Sequence, residues 1–164
     1  MGNTLDNLKE AFAGESQANR TYLAFAKKAD EEGYPQAARL FRAAADAETV
    51  HAHNHLNVIG GVKSTLENLQ AAYEGEHEEF TVMYPGFIEQ AKKEGNNDAI
   101  QTFYWANEVE KVHGNLYKQA IDNLKSLKTT GYYVCQRCGY TAEGNAPEKC
   151  PVCGASQDKF KKIE

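Results

Sequence analysis

Glu110-Lys111-Val112-His113 has the form Glu-x-x-His, and Glu48-Thr49-Val50-His51 has it too. Residues three apart share one face of a helix, so each pair aims a carboxylate and an imidazole at one spot. Two such pairs on separate helices, each joined by a further Glu, make the donor set of a carboxylate two-metal helical bundle. The rest of the chain reads as the scaffold for that set.

The helix carrying Glu110 has its stripe at Ala99, Phe103, Ala106, Glu110, His113, Tyr117, Ala120 and Leu124; the helix carrying Glu48 has Ala37, Phe41, Ala44, Glu48, His51, His55 and Val58. Steps of three and four mark a buried face, so acids and imidazoles stand where apolar residues belong. A first helix is expected from about Thr4 to Ala29, with Thr4 as N-cap and a stripe of Leu5, Leu8, Phe12, Glu15, Asn19, Tyr22 and Ala26. A third starts at the Ser64/Glu67 capping box and carries Leu66, Leu69, Tyr73, Glu76, Phe80, Met83 and Phe87. Glu79 shares the face of Glu76, and Pro85 is expected to kink this helix. A core carboxylate is costly unless paired or bound to metal, and these stripes contain no Lys or Arg. Glu15, Glu48, His51, Glu76, Glu79, Glu110 and His113 are therefore candidate ligands, with Tyr22 placed to hydrogen-bond a ligand carboxylate. His53 and His77 read as solvated, His55 as a packed histidine, and Glu108 as pointing away from Glu110.

The helical part repeats itself. Gly14-Glu15 matches Gly75-Glu76, Glu32-Gly33 matches Glu94-Gly95, and one Glu-x-x-His matches the other, at offsets of 61 to 62 residues. Two similar hairpins with two metals between them are expected. If the second and third helices ran parallel, the link between them would have to span ~30 Å. Residues 60–64 reach at most ~18 Å when extended. Either those helices are antiparallel neighbours or the second hairpin docks into another chain, which makes a domain-swapped homodimer the expectation.

All four cysteines lie in two Cys-x-x-Cys pairs, Cys135/Cys138 and Cys150/Cys153, with 11 residues between the pairs. Such spacing suits a tetrahedral four-thiolate site for zinc or a single iron and leaves both metals open. So short a segment builds little core, and its metal would contribute much of its folding free energy. Lys and Arg total 18 against 23 Asp and Glu, which argues against nucleic acid as a partner. No apolar run approaches the ~20 residues needed to span a bilayer. The start of the chain carries no secretory pattern, so a cytoplasmic protein without a membrane partner is expected. The division expected is 1–128 for the helices and 129–164 for the cysteine module.

These residues resemble the rubrerythrin family over nearly the whole chain. The resemblance rests on Gly14-Glu15-Ser16-Gln17-Ala18-Asn19-Arg20-Thr21-Tyr22, both Glu-x-x-His pairs, and Gly75-Glu76-x-x-Glu79 with Met83-Tyr84-Pro85. The tail is similar to rubredoxin in Tyr133-Val134-Cys135-x-x-Cys138-Gly139-Tyr140 and Cys150-Pro151-x-Cys153-Gly154. The resemblance implies an all-α four-helix ferritin-like bundle with two Fe, followed by a rubredoxin-like β domain with one Fe at Cys135, Cys138, Cys150 and Cys153. It implies that Glu48 and Glu110 bridge the irons and that Glu76 and His113 hold one of them. Glu15 would hold the other, with Glu79 when oxidised or His51 when reduced. Tyr22 and Tyr84 would hydrogen-bond ligand carboxylates. The activity implied is reduction of hydrogen peroxide to water in oxidative-stress defence, with rubredoxin or an NADH-dependent reductase as electron donor.

Two other readings compete. A ferroxidase storing iron would use the same carboxylates, but it has no need of a dedicated donor module. A non-enzymatic helical module with a zinc ribbon would hold zinc in both sites.

Overall fold

The structure is a computed structural model that describes residues 2–163. The chain packs as two compact units, Met1–Lys63 and Ser64–Glu164.

The first unit is a helical hairpin of α1 (Thr4–Glu31) and α2 (Pro35–Ile59). The cap of α1 is Asn3, one residue earlier than expected. Its side chain accepts from the Asp6 amide while the Asp6 carboxylate accepts from the Asn3 amide. This reciprocal pair serves two amide donors, and Thr4 has no acid three residues on with which to make one. Gly33, with φ of 79°, turns the chain, and Pro35 starts α2, where its missing N–H costs nothing. Small residues fill the seam: Ala26 and Ala29 of α1, and Ala38, Ala45 and Ala52 at seven-residue intervals along α2. Such a seam lets two helices approach closely. Asn19 is buried in it and donates to the Ala45 carbonyl at 2.6 Å and to Thr49 Oγ1 at 2.8 Å. Several large apolar side chains of this hairpin stay open to solvent, with Phe25 48 %, Leu40 68 % and Val58 72 % exposed.

The second unit opens with α3 (Thr65–Glu78), capped by Ser64 and Glu67 as expected. A π-helical turn, Glu79–Met83, leads into α4 (Tyr84–Glu94), and α5 (Asn97–Asp122) returns. The kink expected at Pro85 is thus a widened turn immediately before it. Pro85 sits in the first turn of α4, and the Tyr84 amide reaches back five residues to the Glu79 carbonyl. Widening by one residue makes room for the proline ring. The cysteine module follows as a three-stranded antiparallel sheet of order β2-β1-β3, from β1 (Tyr132–Cys135), β2 (Thr141–Glu143) and β3 (Phe160–Ile163). Its core is Cys135, Cys150 and Ala155, with Tyr140, Val152 and Phe160 against it. Among the described residues no helix is long and apolar enough to cross a membrane.

Candidate metal centres

Each unit gathers half of the expected ligand set, and the halves share one geometry. In the first, His51 Nδ1 lies 2.8 Å from Glu48 Oε2 and 4.0 Å from Glu15 Oε1. In the second, His113 Nδ1 lies 2.7 Å from Glu110 Oε2 and 3.8 Å from Glu76 Oε1. One donor atom from each residue of a triad lies within 4.8 Å of the others. The helical three-residue step supplies the short pair, and the neighbouring helix brings the third donor. Gly114 admits that neighbour, since a Cβ there would meet Phe80 at 3.2 Å and Glu76 at 3.8 Å.

The repeat extends to the aromatic groups beside the ligands. Tyr22, Phe25 and Phe41 pack with centroids 5.5 to 6.4 Å apart, and Tyr84, Phe87 and Phe103, each 62 positions later, pack at 5.5 to 6.3 Å. Glu79 stands outside the close triad, at the first position of the π-helical turn. It remains within the electrostatic reach of Glu110 and His113. Tyr117, on the sequence a stripe residue without an assigned role, lines a cavity of about 360 Å³ together with His113 and Thr141. Its place one turn beyond His113 was the available signal. Glu108 pairs with Lys111, as its position off the stripe implied.

The second half-set is the more enclosed. Burial, then the charge of Glu110, pushes the Glu76 carboxyl up to about 7. Burial and Glu110 also raise Glu79. The hydrogen bond that His113 donates to the Glu110 carboxylate holds its pKa up against burial. Burial and the surrounding acids raise the Tyr84 and Tyr117 hydroxyls. In the first half-set the His51 hydrogen bond, then that of Glu15, lowers Glu48. A cluster of acids that forces one of its members to keep a proton near neutral pH fits a bound divalent cation, which neutralises that charge.

A pH dependence follows. Between about 4.5 and 7 the folded chain retains a proton on Glu76 that the unfolded chain has lost. Metal-free stability should therefore fall as pH rises through that window, and raised His113 acts in the same direction. Metal binding displaces the Glu76 proton, so Co²⁺ affinity of this half-set should rise about tenfold per pH unit below pH 7 from that group alone. Calorimetric titrations on either side of pH 7 check the slope.

The four cysteines form the other donor cluster. Cys135 and Cys153 sulfurs are 3.7 Å apart, and those of Cys138 and Cys150 are 3.5 Å apart. The two knuckles repeat one backbone pattern. Gly139 and Gly154, with φ of 86° and 71°, donate to the Cys135 and Cys150 carbonyls at 2.9 Å. Burial pushes up the Cys138 and Cys153 thiols. Burial also opposes ionisation of Cys135, but the amides of Arg137 and Cys138 outweigh it and leave that thiol lowered. Four converging sulfurs fit a tetrahedral metal.

Residues 6–121 match the family described as Rubrerythrin. The chain belongs to the rubrerythrin family. Residues 133–161 match that family's rubredoxin-like domain. Among rubrerythrin relatives, Rubrerythrin-2 of Clostridium acetobutylicum is 37 % identical over 174 residues, covering 96 % of this chain and 95 % of its own. Nigerythrin of Nitratidesulfovibrio vulgaris is 37 % identical over 174 residues, covering 98 % and 86 %. The solved structure described as the fully reduced, all-ferrous state of nigerythrin matches with a TM-score of 0.61 at 37 % identity, over 99 % of this chain and 88 % of that one. Helical hairpins followed by a small cysteine-bearing sheet are thus the rubrerythrin fold class read from the sequence.

Proposed function

We propose that this rubrerythrin-family chain reduces hydrogen peroxide to water at a di-iron carboxylate centre, with electrons relayed through an iron held by Cys135, Cys138, Cys150 and Cys153. The observation that supports it best is the pairing of two matching Glu, Glu-x-x-His half-sets with a four-cysteine module in one chain. A dedicated one-electron carrier has a use beside a redox centre and none beside a structural metal. The overall reaction takes up two electrons and two protons per peroxide and yields two waters. Two ferrous ions held by the carboxylate set would supply the two-electron reducing chemistry, one electron each.

The chain's own residues divide the work as follows. Glu48 and Glu110 would be shared between the two irons, Glu76 and His113 would hold one, and Glu15 would hold the other. Glu79 would serve that position in the oxidised state and His51 in the reduced state, since a carboxylate stabilises ferric charge and a neutral imidazole suits ferrous iron. Tyr22 and Tyr84 steady ligand carboxylates. Replacing Glu79 with Ala should slow peroxide turnover on the order of tenfold or more while helix content holds. Stopped-flow turnover beside circular dichroism checks this, and unchanged turnover removes the exchange.

The complete centre combines one half-set from each of two chains in a domain-swapped homodimer. The short link at residues 60–64 and the exposed Phe25, Leu40 and Val58 support that arrangement. Light scattering that finds a metal-loaded monomer overturns it. The boundary between bundle and cysteine module falls at 128/129, and the donor is a rubredoxin or an NADH-dependent reductase in the cytoplasm.

The deciding experiment reduces the iron-loaded protein without oxygen and adds one equivalent of H₂O₂ per di-iron site. Return of the ferric-thiolate colour faster than in air is the expected result. No colour, with zinc at the cysteines, overturns the relay.

A further inference from the structure

The first cysteine knuckle runs along one face of α5 in three rungs. Trp105, Val109 and His113, at steps of four on the helix, meet Arg137, Gly139 and Thr141, at steps of two on the knuckle. The Arg137 guanidinium lies 4.9 Å from the centroid of the Trp105 ring. A Cβ on Gly139 would lie 3.7 Å from Val109 Cγ1. His113 Nε2 and Thr141 Oγ1 are 2.9 Å apart.

The third rung has a direction. Thr141 has one hydroxyl proton, and at 3.2 Å it goes to the Gly139 carbonyl, which can only accept. Toward His113 the hydroxyl oxygen is therefore the acceptor and Nε2–H the donor; a metal at Nδ1 would displace the proton that this nitrogen shares with Glu110 at 2.7 Å and leave Nε2 as the protonated nitrogen. The other nitrogen, Nδ1, is the one that faces Glu110 and Glu76. A ligating histidine is commonly set in this way by the partner of its second nitrogen.

We propose that Thr141 is a positioning residue for the metal centre: its hydroxyl accepts from His113 Nε2–H, fixes the tautomer, and aims the Nδ1 lone pair at the metal. This rests on the reading of Glu76, Glu110 and His113 as ligands. It gives the cysteine module a second task, that of orienting a ligand of the carboxylate site on its own chain. Folding of the module and metal binding on α5 are then coupled through the contacts of His113 with the knuckle, the Thr141 hydroxyl and the Gly139 backbone.

The test uses the full chain with T141V and T141S. T141V keeps the volume and removes the acceptor, whereas T141S keeps the acceptor. Zinc-loaded protein examined by long-range ¹H–¹⁵N NMR should show His113 protonated at Nε2 and ligated at Nδ1 in the wild type and in T141S. Co²⁺ competition titration should show T141V weakened about tenfold or more at the His113 half-set, with T141S near wild type. Circular dichroism and retained metal at the cysteines verify that T141V is folded. Equal Co²⁺ affinity in T141V and wild type overturns the positioning role, as does a weakening that T141S fails to restore. A wild type that binds no Co²⁺ at the carboxylates overturns the metal-centre reading, and this inference with it.

Discussion

Alanine at Glu110 should cut peroxide turnover to below about 1 % of wild type while leaving the helices in place, a loss larger than the 10- to 100-fold typical of groups that only support a ligand. Glu110 touches both other members of its half-set. It lies 2.7 Å from His113, and its charge helps hold Glu76 protonated near neutral pH. Without it the triad loses the carboxylate proposed to bridge the metals, and the His113 ring loses its hydrogen bond to Glu110. The Glu76 carboxyl should return toward the ordinary range, because its strongest charged neighbour is gone. Iron content should fall in the carboxylate site and hold at the cysteines. Glu108→Ala is the control, since Glu108 pairs with Lys111, away from the triad, and should leave turnover within about twofold. Metal analysis and steady-state peroxide reduction on both variants decide the matter. Equal loss in the two would mean that the register of α5 has been misread.

Cys138→Ala should unfold the cysteine module while α1 and α2 keep their protection. The strands have only four, three and four residues. The core is three buried side chains, two of them cysteines. Structural metal in such small domains supplies an apparent ~10–16 kcal/mol, more than this core provides by itself. Hydrogen exchange should therefore show rapid labelling of residues 132–163 beside slow labelling of the hairpin seam. Trp105 reports the same event, because it is the chain's single tryptophan and it loses its Arg137 partner. A shift in its fluorescence is expected, together with loss of turnover driven by an external reductase. A single oxidation of the pre-reduced carboxylate centre by peroxide should persist. Retained turnover with an external donor would show that electrons reach the carboxylates without the module.

Much of this was legible before any coordinates. Glu-x-x-His, stripes with steps of three and four, and Cys-x-x-Cys are short-range patterns, and the backbone geometry of one helix or one knuckle converts them directly into side-chain placement. The internal repeat was legible too, and it reaches further than the ligands: the Tyr22 and Tyr84 aromatic groups pack alike. Local competition was harder to read. Asn3 and Thr4 are both good caps, and the choice fell to Asn3 because Asp6 could answer it. At Pro85 the missing amide was foreseen, but the chain accommodated it with a wide turn at Glu79–Met83.

By itself, then, the sequence determined the donor types, their order along the chain and the face of each helix on which they stand, because helical and knuckle periods are properties of the local backbone. Tertiary structure alone decided that Tyr117 and Thr141 stand beside His113 and that the second nitrogen of that ring meets a hydroxyl. Thr141 lies 28 residues from His113. No local period links positions so far apart, and only the packing of the knuckle on α5 brings them within hydrogen-bond reach.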